Sequence, residues 1–87
     1  MELNYKLLEQ IINIDSPTGY CSKVINYLET VVKELGFNYT KNQKGNLIVS
    51  VEGKSDYTVG LSAHVDTLGL MVRSINGDGT LKFTTLG

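Results

Sequence analysis

The sequence holds one cysteine, one proline and one histidine among its 87 residues. Cys21 alone cannot close an internal disulfide or build a multi-thiolate zinc site, and such sparse cysteine fits a reducing, cytoplasmic compartment. Charge of either sign is not in excess: eight Lys+Arg against nine Asp+Glu leave a net −1. The two signs are interspersed, which points away from nucleic acid and from an anionic membrane surface as partners. No stretch approaches the roughly 18–20 apolar residues of a membrane-spanning helix. The opening MELNYKLLEQII lacks a basic n-region and spaces its apolar residues periodically, so it reads as a helix and not as a signal peptide. Scattered glycines, a single proline and no internal repeat exclude collagen-like, low-complexity and solenoid classes. What remains, 41% hydrophobic and 20% charged, is globular composition. A chain this short buries only about 60–65% of its unfolded surface, so a fold it makes alone is marginal.

The hydrophobic period predicts α/β structure. Leu3, Leu7, Leu8, Ile11 and Ile12 fall on one helical stripe that Pro17 terminates. Ser16-Pro17-Thr18-Gly19 reads as a helix-to-helix corner, with Ser16 or Thr18 as the next N-cap. A second helix is predicted from about Tyr20 to Leu35, because Val24, Ile25, Leu28, Val31, Val32 and Leu35 recur at helical spacing. Gly36 stands where a left-handed residue would end it. The period then changes to alternation: Phe37 and Tyr39 share a face, residues 41–46 form a polar turn, and Leu47, Val49 and Val51 line one side of a strand. Thr58 to Val65 reads as the most buried strand. There Val59, Leu61, Ala63 and Val65 alternate with Gly60, Ser62 and His64, and the small second face suggests a close backbone or a cleft. Leu70–Ile75 and Thr80–Leu86 flank Asn76-Gly77-Asp78-Gly79, a hairpin turn. That last apolar strand is left uncovered, which reads as a chain cut from something longer.

One group of residues carries chemistry. His64-Val65-Asp66 closes the small-residue strand, and residues two apart in an extended chain share a face. A neutral imidazole is a common ligand of zinc and similar metals, and a carboxylate on its other nitrogen fixes the tautomer. The carboxyl end of a strand in an α/β sheet is also where ligands bind. By spacing alone His-x-Asp is a weak signal, and a turn histidine beside a turn aspartate is the commoner origin of such a pair. A catalytic zinc needs about three protein ligands and a two-metal site more. Asp15, Asp56 and Asp78 fall in corners or turns, and Glu29 and Glu34 on an exposed helix face. Cys21, near a helix start, has no histidine nearby in sequence and reads as a small helix-face residue. Gly77 and Gly79 belong to a hairpin tip, with no Lys-Ser/Thr and no following helix to make a phosphate loop.

Taken in order, Ser16-Pro17-Thr18-Gly19, Lys44-Gly45-Asn46-Leu47, and Ala63-His64-Val65-Asp66 running on into Leu68-Gly69-Leu70-Met71-Val72 resemble the N-terminal part of the M42 family. These are metallo-aminopeptidases, the glutamyl or deblocking aminopeptidases, some of which have been labelled endoglucanase M. The resemblance covers essentially all of the chain. His-x-Asp is shared with the M20 and M28 peptidases, whereas the Gly-x-Met-Val continuation is similar to M42. The resemblance implies that His64 is the first metal ligand of a two-metal catalytic site and that Asp66 is the catalytic-site aspartate supporting it. It implies two divalent ions, zinc first and cobalt or manganese compatible, peptide substrates, and a homo-oligomer. The family's bridging aspartate, catalytic glutamate and remaining ligands have no counterpart in this sequence, so an isolated chain is expected to be inactive. Thr67-Leu68 stands where many members have Glu-Ile. The implied fold is two helices and mixed-sheet strands of a zinc-peptidase-like catalytic domain over residues 1–67. Residues 68–87 would be the first strands of an inserted, PDZ-like β-barrel domain. A reading from another class is a non-enzymatic α/β module, or a truncated remnant, that engages a partner through an open strand edge.

Overall fold

A computed structural model describes residues 4–87. Its elements are α1 (Tyr5–Ile12), α2 (Ser22–Leu35), β1 (Asn38–Lys41), β2 (Leu47–Ser50), β3 (Gly69–Ile75) and β4 (Leu81–Leu86). Two helices thus precede two separate antiparallel hairpins, β1–β2 and β3–β4. The architecture is α/β, as the changing period predicts, but the sheets are small and antiparallel instead of one mixed sheet. Of the α1 stripe, Leu3 lies outside the described residues.

Local chemistry explains each element. Asn4 caps α1, its Oδ1 accepting from the Leu7 amide at 3.0 Å. The α2 stripe is the most covered surface in the molecule: Val24 is buried, and Ile25, Leu28, Val31 and Val32 are half-buried. Gly36 ends α2 at φ 78°, ψ 19°, the left-handed C-terminal geometry that its position predicts. The β1–β2 hairpin pairs Asn38 with Ser50 and Lys41 with Leu47. Its turn is closed by the Asn42 side chain, whose Oδ1 accepts from the amides of Lys44 (3.0 Å) and Asn46 (2.9 Å).

The hairpin β1–β2 docks on α2 through polar groups. The Glu29 carboxylate accepts from Tyr39 Oη at 2.9 Å, pairs with Lys41 Nζ, and lies 3.8 Å from Lys33 Nζ. Lys41 also donates to Asn26 Oδ1 at 3.0 Å. Glu29 is therefore not on a free helix face, as the helical pattern suggests, but is the clasp between helix and hairpin. The Lys41 and Tyr39 bonds, in that order, hold its carboxyl below the usual range.

In β3–β4, Val72 opposes Phe83 and Ile75 opposes Leu81, with a bulge between Val72 and Ser74. The bulge keeps Ile75 on the same face as Leu70 and Val72. At the tip only Gly79 takes a positive φ (88°). Asp78 acts by its side chain, accepting from the Thr80 amide (3.0 Å) and hydroxyl (2.6 Å).

The largest departure is residues 58–65, which form no strand. Val59 and Leu61 are 71% and 95% exposed. A strand needs a ladder partner for its N–H and C=O groups, and none of the described residues pairs with this segment. The alternating pattern reports a two-faced surface and is silent on what would cover it. Among the described residues, no helix is long and apolar enough to cross a membrane.

Candidate functional site

The corner 16–18 and the segment 65–67, far apart in sequence, lie side by side. Ser16, fully buried, donates its Oγ proton to the Val65 carbonyl at 3.0 Å. The Thr67 amide donates back to the Ser16 carbonyl at 2.8 Å, and Pro17 and Thr67 form a parallel bridge. Thr18 Oγ1 donates to Asp66 Oδ2 at 3.1 Å. Neither hydroxyl caps α2. That helix starts at Ser22 behind Cys21, which makes no side-chain cap. The expectation of an N-cap fails because both side chains are taken by long-range partners, which no local pattern reveals. Cys21 is a cap residue whose thiol lies 3.6 and 3.5 Å from the carbonyls of Ser16 and Pro17.

Asp66 also meets His64: Nδ1 lies 3.0 Å from Asp66 Oδ1 and 3.3 Å from the Asp66 carbonyl oxygen. The bond from Thr18 is the largest influence holding the Asp66 carboxyl below its usual range, with the His64 contact contributing less. An ionised carboxylate only accepts, so Nδ1 carries the shared proton, and in the neutral ring this leaves the lone pair on Nε2. Among the described residues, nothing bonds Nε2. The ring is 85% exposed, and Asp66 is half-buried at 41%.

His64 stands on the wall of a cleft of about 950 Å³. Its other walls are the corner after Thr18, the first turns of α2, and β2 with its preceding turn. Ser62 and His64 line it together with Leu61, Ala63 and Val65, so the cleft is not a feature of the small-residue face that the alternating pattern suggests. The sequence reading assigned Ser16 and Thr18 to capping and did not join them to Val65 and Asp66. Their only signal was a pair of hydroxyls flanking a proline, which a cap explains as well.

As a metal centre this donor set is incomplete. Among the described residues, no group of three or more His, Cys, Asp or Glu side chains could hold an ion. The pair His64–Asp66 suits one ligand position, with an oriented imidazole, and none of the other described acidic residues joins it.

The sequence model of the M42 glutamyl aminopeptidase family matches residues 45–87, a stretch that includes both His64 and Asp66. Over this stretch the chain is similar to the M42 peptidases. The putative aminopeptidase YhfE of Bacillus subtilis is 43% identical over 84 residues, which is 94% of this chain and 24% of that protein. The glutamyl aminopeptidase of Lactococcus lactis is 30% identical over 89 residues, all of this chain and 25% of that protein. Carboxypeptidase G2 of a Pseudomonas strain is 31% identical over 74 residues, 75% of this chain and 18% of that protein. The chain thus spans about a quarter of the length of the aminopeptidase relatives it matches.

Proposed function

We propose that this chain is the N-terminal portion of a metal-dependent aminopeptidase acting on peptides in the cytoplasm. In this reading His64 holds one of two divalent metal ions through Nε2, and Asp66 orients the imidazole through Nδ1. The observation that carries it is the 3.0 Å His64–Asp66 contact, which leaves Nε2 free at a cleft. The similarity to M42 aminopeptidases over the same residues supports it. When bound, such ions supply an acidified water and polarise the scissile carbonyl. The chain's own part is narrower. It presents one oriented nitrogen, fixes its tautomer by a carboxylate, and pins that carboxylate to a corner built by Ser16, Pro17 and Thr18. Zinc is the first candidate for an imidazole–carboxylate set, with cobalt and manganese compatible.

Residues 1–67 would belong to the catalytic domain and residues 68–87 to the start of an inserted β-barrel. The separation of β1–β2 from β3–β4 into two sheets supports that division. A homo-oligomer is part of the same proposal, by likeness to the family.

A zinc titration of the homogeneous 87-residue chain tests the reading, followed by imidazole ¹⁵N resonances and by release of an amino-terminal residue from a peptide. The expected result is a selective zinc shift of Nε2 with no hydrolysis. Zinc that leaves Nε2 unmoved, or turnover by this chain alone, contradicts it.

A further inference from the structure

We propose that Thr18 is a positioning residue for His64, pinning the Asp66 carboxylate so that its other oxygen holds the imidazole in the Nδ1–H form. The inference rests on the reading of His64 as a ligand and goes beyond it, to a residue that reaches the imidazole through Asp66.

A carboxylate bonded through one oxygen only is free to turn about its roughly two-fold terminal torsion. Here both oxygens are engaged, Oδ1 by His64 Nδ1 at 3.0 Å and Oδ2 by Thr18 Oγ1 at 3.1 Å. The Thr18 hydroxyl has one proton and spends it on Asp66. It does not cap α2, which begins four residues later. The bond is solvent-exposed and would be weak if its two ends were mobile. They are not independent, because the Ser16 and Thr67 hydrogen bonds and the Pro17–Thr67 bridge lock the two backbones together on either side of it. Gly69 tightens the same junction: a Cβ there would lie 2.6 Å from Pro17 Cβ, so only glycine lets the chain pass this close to the corner. The proline corner therefore delivers a hydroxyl to a fixed point beside the metal-facing histidine.

The test is the tautomer of His64, read from its two ring ¹⁵N shifts in the 87-residue chain at about pH 8, where an ordinary imidazole is neutral. The wild-type chain is expected to be mainly Nδ1–H. Thr18→Val, which keeps the shape and removes the donor, should lower the Nδ1–H to Nε2–H ratio about two- to fivefold, the range over which one exposed hydrogen bond moves an equilibrium. Thr18→Ser should retain the wild-type ratio. A ratio unchanged by Thr18→Val, or lowered equally by Thr18→Ser, overturns the inference. Should Thr18→Val release the Thr67 amide to hydrogen exchange, Thr18→Ala is compared with Thr18→Ser, since these two differ by one hydroxyl, and equal ratios overturn it. Zinc titration of the same variants separates the two claims. A Thr18-dependent tautomer on a ring that ignores zinc sinks the ligand reading alone. A zinc-responsive ring with a Thr18-independent tautomer sinks this inference alone.

Discussion

Thr18, Asp66 and His64 form a short chain of hydrogen bonds, flanked by the Ser16–Val65 and Thr67–Ser16 bonds that join the two backbones. Ser16 is the only buried polar residue among those described, and its hydroxyl is satisfied by Val65 O. A buried hydroxyl without a partner would cost about 1–3 kcal/mol, so the Ser16 bond is part of what holds the two segments in register. Gly69 makes a sharper prediction. Gly69→Ala places a methyl group against Pro17 backbone and ring atoms that cannot move without breaking the Pro17–Thr67 bridge. Overpacking of this kind costs about 1–3 kcal/mol. The expected outcome is faster hydrogen exchange at the Thr67 amide while the amides of α2 keep their protection. Unchanged exchange at Thr67 would show that the junction is looser than its contacts imply.

At the scale of elements, α2 and the β1–β2 hairpin are joined by a charge cluster. The Glu29 carboxyl is held below its ordinary value of 4.5 by the Lys41 and Tyr39 hydrogen bonds. The sign follows from linkage: the folded pKa is depressed, so the unfolded state takes up protons first as the medium is acidified. The contribution is fully present above about pH 4.5 and is lost as pH falls through the folded value. The Tyr39 ring signals should therefore report an acid-induced undocking of the hairpin, and Glu29→Gln should remove that pH dependence. A Tyr39 signal indifferent to pH between 7 and the acid range would contradict the clasp. This is also the scale at which the sequence was most legible. The helical stripes located both helices, and the turn residues at 41–46 and 76–79 marked both strand-to-strand turns, because φ preference and periodicity are local. Residues 58–65 show the limit. Their alternation has the form of a strand, but a strand exists only against a neighbour, and the described chain supplies none. For the same reason the roles of Ser16, Thr18 and Glu29 could not be read in advance, since each depends on a partner from another element.

The whole molecule has far more surface than its length predicts. Its accessible area is 7837 Å², whereas a compact monomer of this mass exposes roughly 5,100 Å². Its radius of gyration is 17.5 Å, against about 12 Å for a compact domain. Leu70, Val72, Ile75, Leu81 and Phe83 lie on one face of the β3–β4 hairpin and are each more than half exposed. Among the described residues nothing covers this face, and the chain spans about a quarter of the length of the aminopeptidase relatives it matches. The site is incomplete in the same way: it offers one imidazole and its supporting carboxylate, and the chemistry requires more ligands. The central claim, that His64 is a metal ligand of an aminopeptidase, is tested most directly in a chimera. The matching quarter of the Lactococcus lactis glutamyl aminopeptidase is replaced by this chain, and metal content is measured together with aminopeptidase turnover. The account predicts a chimera that holds its metal and turns over. Asp66→Asn should lower metal affinity or activity about 10–100-fold, and His64→Ala should lower both further. A His64→Ala chimera that keeps full metal content and full activity would contradict the account.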